Sequence, residues 1–110
     1  MALYRVGKLP GDALAAAAEF HARVLPEVIQ ALASGADHLT IVLSPADDTH
    51  DGWRLAAVQG LAREFSPIRI NALASDDETA IDAAARYCAA AAGVTGQILP
   101  LDGNGAGAVL

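Results

Sequence analysis

An α/β fold with a four-stranded parallel sheet, running β-α-β-α-β-α-β, is what this sequence of 110 residues predicts. Three observations carry it. Short β-branched runs alternate with Ala-rich segments of helical periodicity. The run Leu39-Thr40-Ile41-Val42-Leu43 has no polar face, as expected of a parallel strand buried on both sides. The connections are short and punctuated by Gly, Pro and Asp, so right-handed crossovers are the default.

Ala2–Val6 reads as the first strand, closed by Gly7 and Pro10. Asp12 stands where a helix N-cap belongs. From Ala13 to Ala33 the residues Leu14, Ala17, Ala18, His21, Leu25, Val28, Ile29 and Leu32 recur at three- and four-residue steps, the mark of one buried helical face. Pro26 inside that pattern removes a backbone donor and predicts a kink. Ser34-Gly35 ends the helix. After the Leu39–Leu43 strand comes a polar break from Pro45 to Gly52. Trp53–Phe65 is the second helix, with Leu55, Val58, Gln59, Ala62 and Phe65 in register, stopped by Ser66-Pro67. Ile68–Ala74 is a strand. Ser75-Asp76-Asp77-Glu78 opens the third helix, its acids set against the positive end of the helix dipole. That helix runs Thr79–Ala92 with Gly93 as C-cap. Gln97–Leu101 is the last strand. One domain, residues 1–103, is followed by a Gly-rich tail, 104–110, with no linker or repeat.

Composition narrows the function classes. The chain is 54% apolar, much of it alanine, and only 18% charged. An alanine core requires close backbone approach, and the surplus of apolar surface predicts an oligomer. Net charge is −6 with no run of Lys or Arg, which argues against nucleic acid or an anionic membrane as partner. The Ala-rich helices carry regular charges and predict no membrane span. The single Cys88 excludes an internal disulfide and reads as a buried, inert thiol. A cytoplasmic location fits it, and the N-terminus lacks the apolar run of a signal peptide.

Three phrases define a resemblance. They are Gly60-Leu61-Ala62-Arg63-Glu64-Phe65, then Ile68-Arg69-Ile70-Asn71-Ala72-Leu73-Ala74, then Thr95-Gly96-Gln97 through Leu101-Asp102-Gly103. In that order and spacing they resemble the closing segment of a short-chain dehydrogenase/reductase, from its catalytic helix through its last two strands. Arg23-Val24-Leu25-Pro26 and Thr40-Ile41-Val42-Leu43-Ser44 are similar to its preceding helix and strand. The resemblance implies a half-Rossmann-like domain, truncated to the C-terminal half of the family's fold. The pyrophosphate turn and the ribose-binding acid of the first half have no counterpart here. Gly103-Asn104-Gly105-Ala106-Gly107 does not replace that turn, because no helix follows to supply its dipole.

The resemblance also locates the family's Asn, Ser, Tyr and Lys. Asn falls near Ala13. Ser falls at Pro45, with Ser44 one place short. Tyr and Lys fall near Asp47 and Asp51 in an ungapped count, or near Asp51 and Leu55 with a shortened helix. Neither count supplies the phenol that donates the proton or the ammonium that tunes it. The expectation is therefore a pseudoenzyme-like chain with no nicotinamide or other cofactor and no metal. The family packs the helices corresponding to Ala13–Ala33 and Trp53–Phe65 against a second subunit as a four-helix bundle. Its final helix and strand form another two-fold contact. This implies an assembly subunit, either homo-oligomeric or partnered with a full-length short-chain dehydrogenase. A bare edge at Ala2–Val6 points the same way.

Two other functions compete. One is a small-molecule binding module at the carboxyl ends of the strands, near Ser44–Asp51 and Ala74–Asp77. The other is a small enzyme using Asp47, His50 and Asp51, with Ser44 as a further candidate. Against that stands a solvated loop whose carboxylates cap the Trp53 helix. His21 reads as a packing or interface histidine and His38 as a strand-boundary residue. Trp53 fits an interface anchor and an ordinary core residue equally.

Overall fold

A computed structural model describes residues 1–101, so the Gly-rich tail and Asp102-Gly103 lie outside the described residues. Four strands, β1 (Leu3–Arg5), β2 (His38–Leu43), β3 (Arg69–Ala74) and β4 (Ile98–Pro100), form one sheet. Every pair is parallel, and the order across the sheet is the order along the chain. Between them run α1 (Ala13–Glu19), α2 (Leu25–Leu32), α3 (Asp51–Glu64) and α4 (Glu78–Ala90). The expected α/β class and four-stranded parallel sheet are both present.

Strand alternation sorts the core into two halves. Tyr4, Ile41, Ala72 and Ile98 stand side by side and face α1, α2 and α3, with Phe20, Val24, Val28 and Leu61 packed over them. Arg5, Val42, Leu73 and Leu99 are their neighbours on the opposite face. There Ile81, Ala84, Ala85 and Cys88 of α4 cover Val42 and Leu73. All three crossovers step the same way across the sheet, yet α4 lies on the other side from the first helices. The last crossover therefore has the opposite hand to the first two, and a uniform right-handed set is excluded. The alanines at positions 80, 84 and 85 let α4 lie close against the sheet.

The first helical segment corrects the expected buried face. Its buried stripe is Ala16, Phe20, Val24, Val28 and Leu32, whereas Leu14 is 81% exposed and Ile29 41%. His21 is exposed as well. Both stripes are apolar, and the sheet takes the one carrying the phenyl ring. A four-residue step overshoots an α-helical turn by about 40°, so five such positions drift off one face of a straight helix. Here a π-helical turn, Phe20–Val24, absorbs part of that drift. In it the Leu25 N–H reaches the Phe20 carbonyl. The turn ends two residues before Pro26. The helix is widened upstream of the proline, where a kink at Pro26 was expected.

The caps are local and legible. Asp12 accepts from the Ala15 N–H, and Asp77 from those of Thr79 and Ala80. Gly35 takes φ +93 after α2, a conformation open to glycine. Gly93 is not the cap of α4; Ala91 is, and Arg69 takes over the work of satisfying the helix end. Its guanidinium donates to the carbonyls of Cys88 and Ala91 at 2.9 Å and of Ala89 at 3.3 Å. No helix among the described residues is long and apolar enough to cross a membrane.

Candidate functional site

In an open parallel sheet the carboxyl ends of the strands form the natural mouth. Here that mouth is built by the segments after β1, β2 and β3. The segment after β2 turns through a 3-10 turn, Asp48–His50, into α3. Asp47 caps this turn by accepting from the Thr49 N–H at 3.0 Å and from the Thr49 hydroxyl. Those bonds hold the Asp47 carboxyl below its ordinary value, with the hydroxyl contributing most. A general base needs the opposite shift. Asp47, Asp48 and Asp51 are all exposed.

His50 departs from the expected solvated loop. It is buried, 4% exposed, and both ring nitrogens are engaged. Nε2 lies 2.9 Å from the Gly11 carbonyl oxygen, and Nδ1 accepts from Trp53 Nε1–H at 3.1 Å. Because the indole can only donate, Nδ1 carries no proton and Nε2–H donates to Gly11. The ring is a strut joining the segment after β1 to α3. Trp53 in turn packs its ring against Phe20, centroids 5.3 Å apart. Its indole is half-buried against the core, which favours the core reading of this residue.

Ser44 is exposed and lies apart from His50, in a shallow cleft lined with Arg5, Ser75, Asp76 and Glu78. Arg5 and Glu78 pair across that cleft through two 2.9 Å hydrogen bonds. The structure thus keeps Asp47 and His50 together, places Asp51 at the start of α3, and leaves Ser44 in a separate hollow. Among the described residues no three His, Cys, Asp or Glu side chains converge as a metal set.

Arg54 was not singled out by sequence reasoning. It sits one turn into α3, only 7% exposed, and its Nε has no hydrogen-bond partner among the described residues. An unsatisfied buried polar group costs about 1–3 kcal/mol, and more when charged. Burial pushes its pKa down, and Asp51 three residues earlier opposes that shift. Its guanidinium carbon lies 5.7 Å from the Trp53 ring centroid. Arg54 borders two clefts of the mouth. The larger, about 280 Å³, is lined by Ala46, Asp51, Leu55, Ala74, Gln97, Ile98 and Pro100. The other, about 240 Å³, is lined by Leu9–Gly11, Pro45–Asp47 and His50. The signal available in sequence was an Arg at the i+4 position from His50, within an otherwise apolar stretch.

The closing phrases have a structural explanation. Asn71, buried on the α4 face, donates from Nδ2 to the Val94 carbonyl at 3.0 Å and accepts the Gln97 N–H on Oδ1 at 3.0 Å. Thr95 Oγ1 accepts the Ile70 N–H at 3.1 Å. Gly96 adopts φ +73 and donates its N–H to the Ile70 carbonyl at 2.7 Å. Ile70, Asn71, Thr95, Gly96 and Gln97 thus form one hydrogen-bonded joint that docks β4 on β3.

A parallel α/β sheet with its mouth at the carboxyl strand ends and this β3–β4 joint defines a Rossmann-like half-domain. The family model described as "Short chain dehydrogenase-like protein" matches residues 4–101, and the chain belongs to that family. No curated protein and no solved structure gave a match.

Proposed function

We propose that this chain is a non-catalytic, short-chain-dehydrogenase-like assembly unit whose partner is a second copy of itself. The observation that carries the reading is an outward apolar surface shared by the first two helical segments. Between α2 and α3 lies a hollow of about 340 Å³, lined by His21, Leu25, Ile29, Ala56, Ala57, Gly60, Leu61 and Phe65, with Glu64 as its one carboxylate. Ala56 and Gly60, one turn apart, allow another helix backbone to approach closely. Ile29, in the wall of this hollow, is exposed. Burial of such surface would stabilise a dimer by about 25 cal/mol per Å² before association costs. In the family these same helices meet a second subunit as a four-helix bundle, and the occupant follows from that likeness.

The non-catalytic part of the proposal rests on Ala13 and Pro45, with Asp47 and Asp51 or else Asp51 and Leu55, at the positions the resemblance assigns to the family's Asn, Ser, Tyr and Lys. A cytoplasmic setting accords with the one buried thiol. Sedimentation equilibrium is the test. A dimer at micromolar concentration that dissociates with Ile29→Glu supports the assignment; a wild-type monomer at tens of micromolar would defeat it. Turnover of a nicotinamide cofactor would defeat the non-catalytic part.

A second reading, a small-molecule binding module at the mouth, is favoured by one observation, the position of Arg54 between two clefts with no hydrogen-bond partner for its Nε among the described residues.

A further inference from the structure

We infer that Arg54 is the anchor of a binding site for a small monocarboxylate with an apolar body. The inference rests on the binding-module reading and specifies its ligand. Arg54 is 7% exposed as a residue, and its buried Nε lacks a hydrogen-bond partner among the described residues. It borders a cleft whose other walls are mostly apolar: Ala46, Leu55, Ala74, Ile98 and Pro100. Ligand sites have this composition, apolar walls with a few convergent polar groups. The cleft, about 280 Å³, lies near the small end of the usual range, which limits the ligand to a compact molecule.

The charge and shape of the ligand follow from what surrounds the arginine. A planar guanidinium binds a planar carboxylate through two parallel N–H···O bonds. Nε is sealed from solvent, so the terminal nitrogens, which have no hydrogen bond among the described residues, are the donors that can meet a ligand. Asp51 lines the same cleft, and Asp47 lines the neighbouring one. Their negative charge opposes a dianion such as phosphate more strongly than a single carboxylate. Gln97, also in the wall, offers an amide to a polar group on the ligand.

The test uses the full chain, with hexanoate and benzoate as probes and hexanamide, benzamide and inorganic phosphate as controls. The readouts are the Arg54 Nε–H cross-peak by NMR and Trp53 fluorescence. The expected result is saturable movement of both with the carboxylates, and binding weaker by on the order of tenfold or more for the amides and phosphate. Arg54→Met should weaken carboxylate binding by a similar factor. Ala46→Phe, on the exposed loop, narrows the cleft while keeping the arginine and should do the same, so the test survives a variant that fails to fold. Equal binding of carboxylates and amides, abolished by Ala46→Phe, would overturn the anion assignment while leaving a binding module. Preference for phosphate would overturn the monocarboxylate assignment. No binding of any probe would overturn both the assignment and the module.

Discussion

Trp53 Nε1 donates to His50 Nδ1 across one turn at the start of α3, and His50 Nε2 meets the Gly11 carbonyl from the other side. This bridge ties the segment after β1 to the helix that follows β2. Both ring nitrogens are thereby engaged by groups other than the neighbouring carboxylates. His50→Leu keeps the bulk and orphans both partners. At about 1–3 kcal/mol for each buried unsatisfied group, and less where water reaches, the loss should be about 2 kcal/mol. Urea denaturation should show a lower midpoint with an unchanged slope.

Asn71 is the corresponding point on the other face. Asn71→Leu leaves the Val94 carbonyl and the Gln97 N–H without their partner. A destabilisation of about 2–4 kcal/mol is expected by the same reasoning. Hydrogen exchange should accelerate first at Ala72 and Gln97, where β4 begins to pair with β3.

Thr49 holds the Asp47 carboxyl below its ordinary value of 3.8. The sign follows directly. A carboxylate with a depressed folded pKa contributes stability above its unfolded value, and loses it as pH falls through the folded one. Asp47 is exposed, so the useful readout is its own titration. NMR should place its midpoint below 3.8 in the wild type. Thr49→Val should move it back part of the way, because the Thr49 backbone N–H still donates.

Cys88 lies on the sheet-facing side of α4, and burial pushes its thiol pKa up from 9.0. Its protonated form is favoured by the fold, so the associated stability is present below about 9 and lost as pH rises. A thiol-specific disulfide reagent at pH 8 should label the native chain far more slowly than the urea-unfolded chain. Labelling at the same rate in both states would contradict the burial of this residue.

Arg54→Met removes a buried charge while keeping an apolar stem of similar length. The cost of holding an unpaired guanidinium in the fold disappears with it. The variant should be more stable than the wild type by about 1 kcal/mol in thermal or urea denaturation. A loss of stability would show that the guanidinium supports the fold.

Much of the fold was legible because it is written in local chemistry. The strand at Leu39–Leu43 needed only its lack of a polar face, and Asp12 and Asp77 announced helix starts through short side chains before alanine runs. The candidate site was legible only as a location. Asp47 and Asp51 lie at the mouth as expected, but Arg54 and the work of Asn71 and Arg69 were not recognised. An arginine in a helix reads as a solvated charge until the surrounding walls are known, and an asparagine in a strand gives no sign of the loop it will meet.

By itself the sequence determined the order of elements, the starts of α1 and α4 at Asp12 and Asp77, the parallel sheet and the family. Each depends on spacing or on hydrogen bonds between residues near one another in the chain. Tertiary structure decided which stripe of the Ala13–Leu32 segment turned inward, since both stripes are apolar and only the sheet's shape favours Phe20. It placed α4 on the far face, where alanines 80, 84 and 85 permit a close fit, and so set the hand of the last crossover. It also engaged both ring nitrogens of His50 with Gly11 and Trp53, and left the buried Nε of Arg54 without a partner among the described residues. Those outcomes depend on groups brought together across the fold, which periodicity along a chain does not encode.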